Sequence, residues 1–137
     1  GQMPVFSAAD KTVQPLRVLI IDDNNSFADL LLSTLTMHGH EAFAAYDGVT
    51  GLELAAKYVP DIIFCDIGLP GIDGFEVAER IRKDPALQDI LLVAVTGYIS
   101  TSVQRAGTAG FDKLITKPID QDAIMQILSG FKADALQ

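Results

Sequence analysis

Five polar residues of this sequence stand at the ends of short apolar runs. Asp22 and Asp23 follow the run VLII, and Asp66 follows the run IIFC. Thr96 ends the run LLVAVT, and Lys117 follows the run KLIT. Carboxylates that lie close together repel one another, so three of them near a single ammonium predict a bound cation or a raised carboxyl pKa. Because the ligand atoms are few and all oxygen, Mg²⁺ with part of its water shell retained is the favoured cation.

Each of these residues also has an ordinary structural explanation. An Asp pair after a strand is most often part of a solvated loop or a helix cap, a single Thr is usually a turn residue, and a single Lys is usually a surface charge. Asp66 fits such an explanation less well, because residues 62–65 before it have the pattern of a buried strand. The convergence of strand ends favours a functional site, since ligands of open α/β sheets bind outside the carboxyl ends of the strands.

The elements that would position these residues are strands and helices in alternation. The apolar runs begin at Val18, Ala42, Ile62, Leu91 and Lys113, and each is far enough from the next for one crossover helix. Four of the runs are apolar at consecutive positions, as in strands that are covered on both faces. Between the runs, apolar residues recur with the period of amphipathic helices. The pattern predicts a doubly wound (βα)₅ α/β fold, in which helices cover both faces of a parallel sheet.

Capping residues mark the expected helix ends. The candidate N-caps are Asp47, Asp73, Ser100 and Asp120. Gly39 is expected to end the first helix. The fourth helix, near residues 101–109, has the weakest pattern, because its apolar face consists of Val103 and Ala106 and because Gly107 lies within it. Glycine in a helix costs about 1 kcal/mol relative to alanine, so this helix is expected to be the most mobile.

Length and composition narrow the classes of protein to which the chain can belong. Its 137 residues suit one domain, and 18 acidic against 10 basic residues give a net charge of −8. So acidic a domain is expected to bind neither nucleic acid nor an anionic membrane surface. No apolar run approaches the ~18 residues of a membrane span, and no signal peptide is expected. The single Cys fits a reducing, cytoplasmic location.

The residues at the strand ends form an ordered set that resembles a known family. In chain order the set is Asp22, Asp23, Asp66 within the segment CDIGLPGIDG, Thr96, Gly97, Lys117 and Pro118. It resembles the receiver domain of two-component response regulators, over residues 16–131. The resemblance implies a flavodoxin-like (CheY-like) three-layer sandwich whose parallel sheet has the strand order 2-1-3-4-5. Residues 1–15 would then be a flexible tail or linker, and residues 132–137 a short C-terminal tail.

The resemblance implies a role for each carboxylate. Asp66 corresponds to the phosphoacceptor, which would also contact the metal. Asp23 corresponds to a direct Mg²⁺ ligand, and Asp22 to a residue that acts on the metal largely through water. The backbone carbonyl of Gly68 corresponds to a further metal ligand. Mn²⁺ is expected to substitute for Mg²⁺.

The resemblance also implies how the phosphoryl group is held. The hydroxyl of Thr96 corresponds to the group that binds it, and Lys117 to the ammonium that pairs with it. The small Gly97 would leave room for a phosphoryl donor or a water molecule to approach in line. The peptide bond between Lys117 and Pro118 is expected to be cis, as is usual in the family.

One position departs from the family pattern. Many receivers have Tyr or Phe three residues before the conserved Lys, where this chain has Leu114. The usual coupling between that aromatic side chain and Thr96 is therefore in question. Tyr98, two residues after Thr96, could take a related part, or it could be a loop residue at the edge of the site.

The resemblance implies a phosphorylation-activated signalling switch rather than a metabolic enzyme. A sensor histidine kinase or a histidine phosphotransfer protein would supply the phosphoryl group to Asp66. Phosphorylation would change the surface of helix 4, strand 5 and helix 5, which regulates a downstream protein, an attached domain or a phosphorylation-dependent dimer. The chain would catalyse only its own phosphoryl transfer and slow autodephosphorylation.

Other functions on similar folds are less compatible with the sequence. An interaction module that works without phosphate is the alternative, and it is disfavoured because the acid pair, the acceptor and the Lys are all present. A haloacid-dehalogenase-type phosphatase needs D-x-D after the first strand, where this chain has IIDDNNS. A flavodoxin needs a phosphate-binding loop there, and Asp22 and Asp23 would repel the phosphate of FMN.

Overall fold

The computed structural model describes residues 15–97 and 102–135, and over these residues strands and helices alternate as the sequence predicts. The strands are β1 (Arg17–Ile21), β2 (Glu41–Ala45), β3 (Ile62–Asp66), β4 (Leu91–Thr96) and β5 (Lys113–Thr116). The helices are α1 (Asn25–Met37), α2 (Gly48–Tyr58), α3 (Gly74–Lys83), α4 (Ser102–Ala109) and α5 (Gln121–Ala135). Within the described ranges, no helix is both long enough and apolar enough to cross a membrane.

The strands pair in parallel in one sheet of order β2-β1-β3-β4-β5, which confirms the predicted fold and strand order. Ile21, the last residue of β1, pairs with Cys65 of β3, and Asp66 pairs with Val95 of β4. The strand order reverses between β1 and β3, and such a reversal is where open α/β sheets form their ligand crevice. Residues that follow β1 therefore emerge beside the end of β3.

Two apolar clusters fill the space between the sheet and the helices, one on each face. Ile63 and Cys65 of β3 belong to one cluster, and Ile62 and Phe64 belong to the other. The strand is apolar at consecutive positions because both of its faces are covered. Cys65 is fully buried, and burial raises the pKa of its thiol, which suits a structural cysteine rather than a redox sensor.

The N-caps predicted within the described residues are confirmed. Each carboxylate accepts a hydrogen bond from the backbone N–H three residues further on: Asp47 at 2.7 Å, Asp73 at 3.0 Å and Asp120 at 2.7 Å. The fourth candidate, Ser100, lies outside the described residues. Gly39 follows α1 with a φ of 90°, a left-handed conformation that glycine adopts without strain.

The last two helices agree only in part with the sequence pattern. α4 buries Ala106, which lies on the apolar face predicted for this helix; the mobility expected of α4 stays a prediction. α5 continues to Ala135, whereas the sequence predicts a tail from residue 132. Phe131 packs against the core, and the helix continues beyond it because backbone hydrogen bonds do not require a buried side chain.

A single side chain of α3, Arg82, ties together the end of the sheet opposite the acidic residues. Its guanidinium donates hydrogen bonds to the backbone carbonyls of Gln88 (2.8 Å), Ile90 (2.8 Å) and Gly110 (2.9 Å). It also donates to the carboxylate of Asp112, at 2.7 Å. Because a guanidinium carries several donors in one rigid plane, this residue joins α3 to the segments that enter β4 and β5.

The start of α3 approaches the end of β3 so closely that only glycine fits. A Cβ atom on Gly74 would lie 2.5 Å from Cα of Ile67 and 2.6 Å from the carbonyl oxygen of Asp66. Both are backbone atoms, which can move aside only if the end of β3 moves. By contrast, a Cβ atom on Gly107 in α4 would meet no described atom within 4 Å apart from the adjoining backbone of its own helix.

We expect Gly74→Ala to lower the free energy of unfolding by about 2–3 kcal/mol, because the added methyl group overlaps backbone atoms. The matched substitution Gly107→Ala is expected to raise it by about 0.5–1 kcal/mol, because alanine favours a helix and has open space there. Urea denaturation followed by far-ultraviolet circular dichroism measures both values. Unchanged stability of Gly74→Ala would contradict the close approach of α3 to β3.

Candidate functional site

Three carboxylates meet at the carboxyl ends of β1 and β3, as the sequence predicts. Asp22 and Asp23 follow β1, Asp66 ends β3, and one oxygen of each lies within 4.8 Å of the others. Their burial differs: Asp22 is 1% exposed, Asp66 is half-buried and Asp23 is exposed. The adjacency of β1 and β3 brings the three groups together, although more than forty residues separate Asp23 from Asp66.

Asp22 is held on both sides of its carboxylate. Its backbone N–H donates to the carbonyl oxygen of Ala45, at 3.0 Å, so that the pairing of β1 with β2 continues past the strand. Its Oδ1 accepts a hydrogen bond from the N–H of Asn24, at 2.9 Å. Its Oδ2 is buried and lies 3.0 Å from Nζ of Lys117, with which it forms an ion pair. The Lys117 charge therefore compensates a buried carboxylate oxygen.

One carboxylate oxygen of Asp66 accepts a backbone hydrogen bond, and the other lies near the ammonium of Lys117. Its Oδ1 accepts a hydrogen bond from the N–H of Gly68, at 2.9 Å, and its Oδ2 lies 3.7 Å from Nζ of Lys117. Burial raises the pKa of the Asp66 carboxyl, and the charges of Asp22 and Asp23 raise it further. The Gly68 N–H and the Lys117 ammonium act in the opposite direction, but the pKa remains above its usual value.

Lys117 is placed by the end of β5 and directed at the acidic cluster. Its backbone N–H donates to the carbonyl oxygen of Thr96, at 2.8 Å, and its peptide bond to Pro118 is cis, as predicted. Burial by itself would lower the pKa of the Lys117 ammonium. Hydrogen bonding to Asp22, together with the charges of Asp66 and Asp22, outweighs this effect and raises the pKa. The ammonium is therefore charged at neutral pH.

Phe27 is a neighbour of this ammonium that the sequence analysis missed. The centroid of its ring lies 4.7 Å from Nζ of Lys117. Phe27 is in the first turn of α1, where its backbone N–H donates to Oδ1 of Asn24, the N-cap of that helix, at 3.1 Å. A signal was present in the sequence: an aromatic residue in the first turn of a helix that begins directly after the acid pair must lie at the same edge of the sheet.

Three of the remaining predicted residues, Thr96, Gly68 and Gly97, follow or end strands at this same edge. Thr96 ends β4, next to β3, and is buried with 4% of its surface exposed. Gly68 and Gly97 are exposed in the loops after β3 and β4. Leu114, where the family usually has an aromatic residue, is partly buried and packs against the core. Tyr98 lies outside the described residues, so its two interpretations remain open.

The acidic cluster is suited to a divalent cation. Asp22, Asp23 and Asp66 bring three negative charges against the one positive charge of Lys117. Their donor atoms are all oxygen and lie close enough together to share one ion. The negative charge of this edge is therefore not fully compensated by the one ammonium. The residues present therefore fit a bound metal.

Known proteins resemble the chain over almost all of this arrangement. Residues 18–129 match the response regulator receiver domain family. The DNA-binding dual master transcriptional regulator RpaA of Synechocystis is 38% identical over 111 residues, which make up 80% of this chain and 46% of that protein. The polar-differentiation response regulator DivK of Brucella anthropi is 30% identical over 122 residues, which make up 88% of this chain and 99% of that protein. The chain thus spans about half the length of RpaA and nearly all of DivK.

A solved structure shows the same fold. The chemotaxis response regulator CheY4 of Vibrio cholerae superposes with a TM-score of 0.80 and is 25% identical. The superposition covers 86% of this chain and 99% of that protein. The described sheet order agrees with this likeness.

The raised pKa of Asp66 predicts a pH dependence of stability. The folded protein binds the Asp66 proton more tightly than the unfolded chain, so stability is lost as the pH rises through the folded pKa. In metal-free protein, we expect Asp66→Asn to raise the free energy of unfolding at about pH 7, and the gain to shrink towards about pH 3. Urea denaturation in EDTA at a series of pH values measures the difference.

Asp89→Asn is the matched control, since it removes an exposed carboxylate at the far end of the sheet. Its effect on stability is expected to be small, because isolated surface charges contribute little. A gain for Asp66→Asn that stayed constant from acid to neutral pH would contradict the burial of an ionised carboxylate at this position.

Proposed function

Because the chain belongs to the response regulator receiver domain family, we propose that it is a phosphorylation-activated signalling switch with Asp66 as its phosphoacceptor. One observation carries this proposal. The Asp66 carboxylate lies at the carboxyl edge of the sheet, within reach of two further carboxylates that fit a metal and 3.7 Å from the Lys117 ammonium. An anionic nucleophile surrounded by cationic groups is the arrangement that transfer of a phosphoryl group requires.

The proposed reaction moves a phosphoryl group from a phosphohistidine to Asp66. A carboxylate oxygen attacks the phosphorus, the phosphorus–nitrogen bond breaks, and the imidazole leaves with the electrons of that bond. The imidazole takes up a proton, and Asp66 carries an acyl phosphate. Phosphoryl transfer asks the protein chiefly to position the reactants and to neutralise charge, since little covalent chemistry falls to the other side chains.

We propose Mg²⁺ as the metal, with Mn²⁺ as a substitute; when bound, it neutralises part of the charge on the carboxylates and on the phosphoryl group. The carboxylates of Asp23 and Asp66 and the carbonyl of Gly68 would be direct ligands, and Asp22 would act largely through water. The difference in burial supports this division. Asp22 is already engaged by the Asn24 N–H and the Lys117 ammonium, whereas Asp23 is exposed.

The phosphoryl oxygens would be held by the hydroxyl of Thr96 and the ammonium of Lys117. Thr96 stands at the end of β4, the neighbour of β3, and the raised pKa of Lys117 keeps its charge at neutral pH. Gly97 has no side chain and is exposed in the loop after β4, which supports an open approach for the donor or for water. A side chain there would narrow this approach.

The proposed partners follow from this reaction. A sensor histidine kinase or a histidine phosphotransfer protein would supply the phosphoryl group, and a downstream protein or an attached domain would respond to it. The responding surface would be formed by α4, β5 and α5, with a phosphorylation-dependent dimer as one form of output. We place the domain in the cytoplasm, with neither nucleic acid nor membrane as its own partner, in keeping with its net charge of −8.

The proposal makes the chain a switch that catalyses only its own phosphorylation and slow dephosphorylation. A metabolic enzyme would need a substrate site beyond the phosphoacceptor edge. The second candidate function is an interaction module that works without phosphate. The intact set of Asp22, Asp23, Asp66 and Lys117 favours the phosphorylated switch, because a module without phosphate chemistry has no need of a costly cluster of like charges.

Incubation with acetyl phosphate and Mg²⁺ is expected to raise the intact mass of the protein by one phosphoryl group. Asp66→Asn is expected to abolish the increase, because an amide is not a nucleophile for phosphorus. Asp89→Asn, which removes an exposed carboxylate away from the site, is expected to react as the wild type does. Electrospray mass spectrometry of the intact protein measures the result. An unmodified wild-type protein, under conditions that modify a control receiver, would favour the interaction module.

Removal of the metal is expected to block the same reaction. EDTA should prevent the increase in mass, and Asp23→Asn should weaken Mn²⁺ binding by about tenfold or more, because it removes an exposed direct ligand. Electron paramagnetic resonance of free Mn²⁺ measures this affinity. Phosphorylation that continues in EDTA would exclude the roles given to Asp22 and Asp23.

A further inference from the structure

We propose that Phe27 is a positioning residue for Lys117, and that its ring holds the ammonium between Asp22 and Asp66. This inference rests on the proposed function for its kinetic consequence, but the contact itself is a property of the metal-free protein. The ring centroid lies 4.7 Å from Nζ of Lys117, within the ~6 Å over which a cation is attracted to the face of an aromatic ring.

The contact with Phe27 closes a ring of interactions that includes the buried carboxylate of Asp22. Asp22 accepts from the N–H of Asn24 through Oδ1 and pairs with Lys117 through Oδ2. The side chain of Asn24 accepts from the N–H of Phe27, and the ring of Phe27 contacts the ammonium of Lys117. Residues 22–27 thus hold the Phe27 ring and the Asp22 carboxylate in a fixed arrangement. The Lys117 ammonium contacts both groups, so this short segment limits its position.

A ring suits this place because it attracts the ammonium without accepting its protons in strong hydrogen bonds. Lysine has a flexible stem and three rotatable donors, so carboxylates alone leave it several positions. Nζ lies 3.0 Å from Asp22 but 3.7 Å from Asp66, and the proposed reaction needs its charge at Asp66. The ring limits the movement of the ammonium to the space between the two carboxylates. Its donors remain available to phosphoryl oxygens.

Packing alone would explain an apolar residue at position 27, since Phe27 also packs against the core. The two explanations differ in what they require of the side chain. Packing requires apolar volume, which leucine also provides. Positioning of the ammonium requires an aromatic face, which tyrosine provides and leucine does not.

The first test is nuclear magnetic resonance of the metal-free protein. Protons over an aromatic face resonate upfield, so the Hε signals of Lys117 are expected upfield of those of exposed lysines. Phe27→Leu should move them to the positions typical of exposed lysines, and Phe27→Tyr should leave them upfield. Lys117→Arg assigns the signals. Lys117 signals that do not change in Phe27→Leu would overturn the proposal, whether or not the protein can be phosphorylated.

The second test compares the rate of phosphorylation with the affinity for metal. With acetyl phosphate, Phe27→Leu is expected to react about three- to tenfold more slowly than wild type, and Phe27→Tyr within about twofold of it. Mn²⁺ affinity should change by less than about twofold in both variants, because the ring contacts the ammonium and not the carboxylates proposed as metal ligands. Leu30→Ala, on the exposed side of the same helix, should react as wild type.

The kinetic outcomes separate this inference from the proposed function. A wild-type protein that is not phosphorylated contradicts the proposed function, and the Lys117 resonances then decide the role of Phe27 alone. A phosphorylated wild type whose rate is unchanged in Phe27→Leu overturns the role of Phe27 and leaves the proposed function standing. A slower Phe27→Leu that Phe27→Tyr does not restore overturns it as well, because the aromatic face would then not be what determines the rate.

Discussion

The interaction on which the candidate site depends is the pairing of one ammonium, that of Lys117, with two carboxylates at the edge of the sheet. It reaches Asp22 at 3.0 Å and Asp66 at 3.7 Å, and Asp22 is almost fully buried. A buried carboxylate without a cation nearby would be driven to protonate or would destabilise the fold. A single positive charge does not satisfy three carboxylates, and this imbalance makes the edge receptive to a further cation.

The backbone makes this pairing possible before any side chain is considered. Parallel strands end at a common edge, and the reversal of strand order between β1 and β3 places Asp22 beside Asp66. The hydrogen bond from the backbone N–H of Lys117 to the carbonyl oxygen of Thr96 fixes the backbone position from which the lysine side chain extends. Gly74 allows α3 to begin directly against the end of β3. The sheet and the start of α3 therefore fix the backbone from which the acidic side chains extend.

Much of the fold was predictable because four of the five strand runs are apolar at consecutive positions, as β3 is from Ile62 to Cys65, where both faces are covered. The residues after such runs had to meet at one edge, so Asp66 and Lys117 could be assigned together. The sequence could not predict which of Asp22 and Asp23 is buried. The two residues are adjacent, and their exposure depends on how the chain turns after β1. The extension of α5 past Phe131 has no apolar pattern to indicate it, since residues 132–135 are KADA.

Contacts between distant segments were the least predictable part of the site. Phe27 and Lys117 belong to opposite ends of the chain, and the place of Phe27 at the start of α1 indicates the edge of the sheet but not the contact of its ring with an ammonium after β5. The same holds for Arg82, whose position near the end of α3 is also that of any cation favoured by a helix dipole. Only the packed structure shows that its guanidinium is occupied by carbonyl groups of other segments.

The Arg82 network gives the domain two ends of opposite character, with a practical consequence for anyone who engineers it. Charge is left uncompensated where Asp66 stands, whereas the donors around Arg82 meet carbonyls and a carboxylate. Stabilising substitutions placed at the Arg82 end would therefore lie away from the acidic residues. A sensor built on this domain would carry its fused reporter near the exposed Asp89, at the Arg82 end of the sheet, and would leave the acidic edge free for its analyte.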